Sequence, residues 1–128
     1  MNVRPAQDKD LPAIVEIVER CGIKTDGLDY TDWTGVLLVA VRQSQVIGFI
    51  AALPGRPYAV VTEFGVLPEF QKTRACRELA NGMDLLLRSL GCKAWAGYVG
   101  AKREINDMMT KWGAQHTGDG AMYVGVFR

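Results

Sequence analysis

Histidine occurs once in the chain, at His116, and cysteine only three times, at Cys21, Cys76 and Cys92. The cysteines are odd in number, widely spaced and never paired as C-x-x-C. That pattern excludes a disulfide framework and, with so little histidine, a zinc site. Reduced thiols are expected, with Cys92 buried and Cys76 the one to watch. An excess of charge is missing too: 15 Lys and Arg against 14 Asp and Glu leave a formal net charge of +1. No overall field then gathers nucleic acid or an anionic membrane, and any charge-driven binding is local. No apolar run approaches the roughly 20 residues of a membrane span. Met1-Asn2-Val3-Arg4-Pro5 lacks the basic region of a secretory leader, so the cytosol is the expected compartment. Repeats, low-complexity tracts and linkers are also wanting.

What is there is enough for one domain. A chain of 128 residues, 48% of them apolar, can close one hydrophobic core without metal or disulfide staples, and 1–128 is expected to be a single domain. Val3 to Ala6 can form a short strand. Asp8 and Asp10 then offer N-caps for a helix through Leu11 to Arg20, whose apolar residues Leu11, Ile14, Val15, Val18 and Cys21 recur at three- and four-residue steps until Gly22. Lys24 to Gly35 is polar and acidic, reading as a loop with Asp26, Asp29 and Asp32 around Tyr30 and Trp33.

Two β-branched runs, Val36 to Val41 and Val46 to Leu53, flank the polar turn Gln43-Ser44-Gln45 and predict a hairpin. Pro54-Gly55-Arg56-Pro57 breaks the chain, and Tyr58 to Leu67 forms a third long strand. Leu79, Met83, Leu86, Leu87 and Leu90 mark one face of a helix within 73–90, closed by Gly91. Strand Lys93 to Val99, helix Arg103 to Trp112 and strand Ala121 to Phe127 complete a β-α-β-β-β-α-β-α-β order. That order predicts an α+β domain with a mixed, mostly antiparallel sheet flanked by helices.

The stretch that carries chemistry is Thr62-Glu63-Phe64-Gly65-Val66-Leu67-Pro68-Glu69-Phe70-Gln71-Lys72-Thr73-Arg74-Ala75-Cys76-Arg77. A strand runs through a short polar loop straight into a helix, so the unpaired amides of the helix start are aimed at whatever lies in the loop. Lys72, Arg74 and Arg77 add attraction for a polyphosphate. Glu63 reads either as a solvent-facing carboxylate or as a base on the strand. Cys76 reads either as an inert packing residue or as a thiol activated by the helix start and its arginines. The tryptophans read as core or cleft walls, and His116, in the turn-rich 115–120 stretch, as exposed.

Val66-x-Pro68-Glu69-Phe70-Gln71 followed by a helix resembles the acyl-CoA signature of the GNAT acyltransferase superfamily, V-x-P-x-(Y/F)-(Q/R)-x-x-G-x-(G/A). The element order agrees along nearly the whole chain, including Trp112-Gly113-Ala114 where that family often has a hydrophobic residue, glycine and phenylalanine. Arg74 and Cys76 stand at the two glycine positions, and the small size is similar to that of compact phage-encoded members.

The resemblance implies acetyl-CoA, or a related acyl-CoA, with its pantetheine arm paired to Phe64, Gly65 and Val66 as a substitute strand. The diphosphate would lie on amides of Gln71, Lys72, Thr73, Arg74, Ala75 and Cys76, with Arg77 nearby. It implies direct acyl transfer to a primary amine on a small molecule or a protein, with Glu63 as general base. The family's acid tyrosine aligns with Met109, which cannot donate a proton, leaving Tyr98, Tyr123 or water. The two replaced glycines also leave open a protein of this fold that acts by binding another protein, with or without CoA. The acceptor, the acyl length and dimerisation are not legible.

Overall fold

The computed structural model describes residues 1–23, 30–98, 115–116 and 122–126. Its strands are β1 (Asn2–Pro5), β2 (Val36–Arg42), β3 (Gln45–Leu53), β4 (Tyr58–Val66), β5 (Ala94–Tyr98), β6 (Gln115–His116) and β7 (Met122–Val126), and its helices α1 (Leu11–Cys21) and α2 (Ala75–Ser89). They build one sheet in the order β1-β2-β3-β4-β5-β7-β6. Every neighbouring pair is antiparallel except β4 and β5, which run parallel on either side of α2. The mixed, mostly antiparallel α+β sheet is therefore as the sequence predicts. The helix expected over 103–112, and with it Met109 and Trp112-Gly113-Ala114, lies outside the described residues, as do Asp26 and Asp29.

The β-branched runs of β2 and β3 pair closely because Gln43 and Ser44 both adopt positive φ, 49° and 65°. That is the twist-matched geometry of a two-residue hairpin turn. The two helices cover opposite faces of the sheet. A Cβ placed on Gly65 would meet Ile17 and Phe49, whereas one on Gly48 would meet Leu79 and the neighbouring Val66 side chain. Since Gly65 and Val66 point to opposite sides of their strand, α1 packs on the Gly65 side and α2 on the Val66 side. Ile14, Ile17 and Phe49 fill the first layer and Leu79, Met83 and Leu87 the second, all essentially inaccessible. Each such side chain contributes about 1.5–3 kcal/mol through burial.

One expectation is corrected at the start of α1. Asp10 occupies the N-cap position but is itself helical (φ −86°, ψ −15°) and makes no side-chain cap. Its carboxylate instead turns back, accepting two bonds from Arg4, 2.7 and 3.0 Å, and one from the Gln7 amide, 2.7 Å. The carboxylate is 4% exposed, so an uncompensated charge there would be costly and three donors are the physical remedy. The Arg4 hydrogen bond, opposed by burial and helped by the Gln7 amide, holds Asp10 below its ordinary pKa. A depressed carboxyl stabilises the fold above its unfolded value, about 3.9, and that contribution fades as pH falls through the lower folded value. Asp10→Asn should therefore cost about 1–2 kcal/mol near neutral pH, and the gap to the parent in urea titrations should narrow in acid. A gap that is constant with pH would show that the carboxylate's charge is not what matters.

Candidate active site

β4 departs from regularity at one residue. Ala51 lies opposite Glu63 and Ala52 opposite Val61, so Thr62 is the extra residue of a β-bulge. In an unbroken strand Val61 and Glu63 would share a face. The bulge instead leaves Val61 on the α2 side, where it and Phe64 line a small apolar cavity with Ile50, Met83 and Trp95, and turns Glu63 to the α1 side with Gly65. It also coincides with the end of pairing to β5, because the parallel ladder stops at Val61 opposite Gly97. From Thr62 to Val66 no strand among the described residues pairs with that edge of β4.

Hydrogen-bond phase decides which groups that edge offers. The Leu67 amide donates to the Ile47 carbonyl at 2.8 Å. The alternation of an antiparallel ladder then directs the backbone groups of Gly65 and Glu63 toward β3, and those of Phe64 and Val66 toward the open edge. The Val66 carbonyl already accepts bonds from Gln71 Nε2 at 3.1 Å and from the Cys21 thiol at 3.2 Å. The Val66 amide and both backbone groups of Phe64 have no such partner among the described residues. Gly65, expected on the cofactor edge, is therefore tied to β3. Its missing side chain serves packing, since a Cβ would lie 2.9 Å from Ile23 Cδ1 and 3.0 Å from Ile17 Cγ2.

The loop after β4 is a 3-10 turn over Pro68–Phe70 and four further turn residues, 71–74, before α2 begins at Ala75. Three contacts fasten it. Gln71 grips β4 as above, Arg20 reaches from α1 to Glu69 with two bonds of 2.9 and 2.7 Å, and the Arg42 guanidinium stands 5.5 Å over the Phe70 ring. The hydrogen bond from Arg20 is the main cause that lowers the Glu69 pKa and raises its own. Within the loop the amides alternate in use. Gln71 donates to Pro68, Thr73 to Phe70 and Ala75 to the Thr73 hydroxyl. The amides of Lys72, Arg74 and Cys76 keep no partner among the described residues, and the Arg77 amide adds another at the start of α2.

Neither replaced glycine position strains the loop. Arg74 sits at φ −73°, an ordinary right-handed value that needs no glycine, and its side chain is 85% exposed, 3.7 Å from Glu78. Cys76 is half-buried and its thiol points back to the Gln71 carbonyl at 3.9 Å. Burial, and secondarily the neighbouring Cys21, push the Cys76 thiol up. Of the two readings of Cys76 this favours the inert packing residue, desolvation outweighing the helix start. Tyr98 ends β5, and Tyr123 stands opposite Gly97 on β7, so both occupy the end of the sheet where β4 and β5 part. His116 belongs to β6, opposite Tyr123, rather than to a turn.

Sequence reasoning misses Tyr30. It is buried, adopts φ 67°, and packs edge-on against Trp33 and Phe49, with ring centroids 5.4 and 5.7 Å away. Phe49 lies next to Ala51, the partner of Glu63, on the same sheet face. Burial first, then the charge of Glu63 and a hydrogen bond to it, raise the Tyr30 pKa far above that of an ordinary phenol. That bond is loose: Tyr30 Oη and Glu63 Oε2 are both buried without a well-formed partner among the described residues. An aromatic in a polar loop carries no sequence signal for such a pairing.

No protein-family model matches the chain, and no curated protein matches it in sequence. Solved structures do match in shape. The PaiA N-acetyltransferase from Thermoplasma acidophilum, in complex with coenzyme A, is 16% identical with a TM-score of 0.78, over 96% of this chain and 95% of that one. The ribosomal-protein-S18-alanine N-acetyltransferase from Escherichia coli is 15% identical with a TM-score of 0.83, over 98% and 93%. An acetyltransferase of the GNAT family from Staphylococcus aureus Mu50 is 9% identical with a TM-score of 0.85, over 99% of both chains. From the bulged fourth strand to the basic loop and the helix after it, the chain carries the fold of the GNAT acetyltransferases.

Proposed function

We propose that the protein transfers an acetyl or short acyl group from acyl-CoA to a primary amine. The observation that carries this reading is the unpaired edge of β4, leading without interruption into the free amides of the loop and α2. An extended arm rich in amides is recognised by an open strand edge, which here offers Phe64 and the Val66 amide. A diphosphate is recognised by unpaired amides at a helix start, here those of Lys72, Arg74, Cys76 and Arg77. The residues present therefore fit acetyl-CoA, which when bound supplies an acyl group already activated as a thioester.

Glu63, beside the bulge where the sheet parts, is the candidate base for the acceptor's proton, and Tyr98 and Tyr123 are the candidate donors. The ordinary backbone at Arg74 supports the enzymatic reading over a fold kept only for docking, because the arginine leaves the amides of the loop accessible. The acceptor belongs to the class of amine-bearing small molecules or proteins, and the expected setting is the cytosol. None of the described helices is long and apolar enough to cross a membrane.

Thermal shift with acetyl-CoA, followed by release of free CoA across a panel of amines and peptides with free N-termini, tests the reading. Stabilisation with turnover is expected. No stabilisation by any acyl-CoA would overturn it, and stabilisation without turnover would turn it into a CoA-binding module.

The exposed Arg74 charge has a smaller effect. Arg74→Ala should weaken acetyl-CoA binding roughly two- to fivefold at low salt, and salt should erase the difference by screening. Equal affinities at low salt would show that this charge is not used.

A further inference from the structure

Two buried oxygens have no hydrogen-bond partner among the described residues, Tyr30 Oη and Glu63 Oε2, and both belong to one sheet face: the Tyr30 ring packs on Phe49, whose neighbour on that face, Ala51, lies opposite Glu63. Leaving both unsatisfied is unfavourable, and a phenol hydroxyl and a carboxylate are complementary, one donating and the other accepting only. Glu63 as a whole is half-buried, and of its two carboxylate oxygens only Oε2 is buried without a partner. Tyr30 is also held in the left-handed region, at φ 67°. For a bulky side chain that conformation is unfavourable. The ring contacts with Trp33 and Phe49 over-determine its place.

We infer that Tyr30 is the positioning residue for Glu63: its hydroxyl closes onto Oε2 and leaves Oε1 as the oxygen that takes the proton from the acceptor amine. The inference rests on the acyl-transfer reading for what Oε1 does, though not for the pairing itself. With Oε2 fixed, the carboxylate loses its freedom to swing, and its free lone pairs point where β4 and β5 part. Tyr30 does not touch the reacting atoms in this arrangement.

The test separates pairing from chemistry. With tyrosine labelled at Cζ, NMR follows each phenol through alkaline pH without any acyl-CoA. In Glu63→Gln, Tyr30 should ionise about one pH unit lower than in the parent, because the neighbouring negative charge is gone. Tyr30→Phe keeps the ring contacts and should stay folded, melting only a few degrees below the parent for the loss of one buried hydrogen bond. It should lower kcat about tenfold with KM for both substrates within about twofold, the mark of an interaction made only in the transition state. In a Glu63→Gln background it should cost almost nothing further.

An unchanged Tyr30 titration in Glu63→Gln would overturn the pairing even in an active enzyme, as would a full second loss in the double variant. A shifted titration in a protein that acylates no amine would instead overturn the acyl-transfer reading and support the pairing.

Discussion

Glu63→Gln is expected to lower turnover at pH 7 by about 10²-fold or more while leaving acetyl-CoA affinity unchanged. The size follows from the acceptor. A lysine-like amine with a pKa near 10.4 is neutral in about one molecule in a few thousand at pH 7, a deficit of roughly 4–5 kcal/mol. Only the neutral form attacks, so a placed carboxylate that removes the proton recovers part of that deficit. On the leaving side the need is smaller, since a thiolate of reference pKa near 8.5 departs without much help. The loss should therefore shrink as pH rises and free amine accumulates. It should also be smaller for a peptide α-amine, whose pKa of about 7.7–8.0 leaves far more of it neutral at the start. Steady-state rates from pH 6 to 10 with one acceptor of each kind would check both slopes. Parental turnover by Glu63→Gln at pH 7 would remove Glu63 from the chemistry and move attention to Tyr98 and Tyr123.

That prediction depends on a geometry that the residues alone leave open. Three positions separate Glu63 from Val66, and it is the unbroken pairing over those positions, with the bulge only beyond them at Thr62, that puts the carboxylate on the α1 side. A bulge is set by the register between two strands, which no local pattern specifies. The elements themselves were legible where their signals are local. β-branched runs marked β2 and β3, the three- and four-residue steps of Leu79, Met83 and Leu87 marked α2, and Pro68 marked the end of β4. The loop motif was legible for the same reason, because a strand, a basic turn and a helix start are contiguous in the chain.

What stayed hidden was made by contacts between distant segments. Tyr30 meets Glu63 only once the loop before β2 has folded over Phe49. Cys76 lies beside arginines in sequence, which argues for a lowered pKa, yet its thiol is turned under the loop, where desolvation dominates. His116 sits among glycines and polar residues that read as a turn, but its backbone is claimed by pairing with β7. At Cys76 and His116 a local signal existed and a tertiary term outweighed it, whereas at Tyr30 there was no local signal at all.

The same competition makes Gly65 the most informative packing position in the molecule. Within the motif it reads as a contact for the pantetheine arm, whereas the fold assigns its backbone to β3 and its vacant side to α1. An added Cβ would stand 2.9 Å from Ile23 Cδ1, 3.0 Å from Ile17 Cγ2 and 3.1 Å from Phe49 Cε1. These are side-chain ends that can give by a few tenths of an ångström, so Gly65→Ala should cost about 1–2 kcal/mol. Gly65→Val adds two methyl groups where one carbon is already tight, and α1 has to move away from the sheet. Its expected cost is about 3 kcal/mol, a fall in Tm of roughly 10 °C for a chain of this size. Because Phe64 and Val66 supply the open edge, acetyl-CoA affinity measured well below that Tm should stay within about twofold of the parent. Thermal melts and calorimetric titration of the same preparations separate the two roles. A Gly65→Val protein that melts like the parent but has lost acetyl-CoA would return Gly65 to the cofactor edge and refute the hydrogen-bond phase assigned to β4.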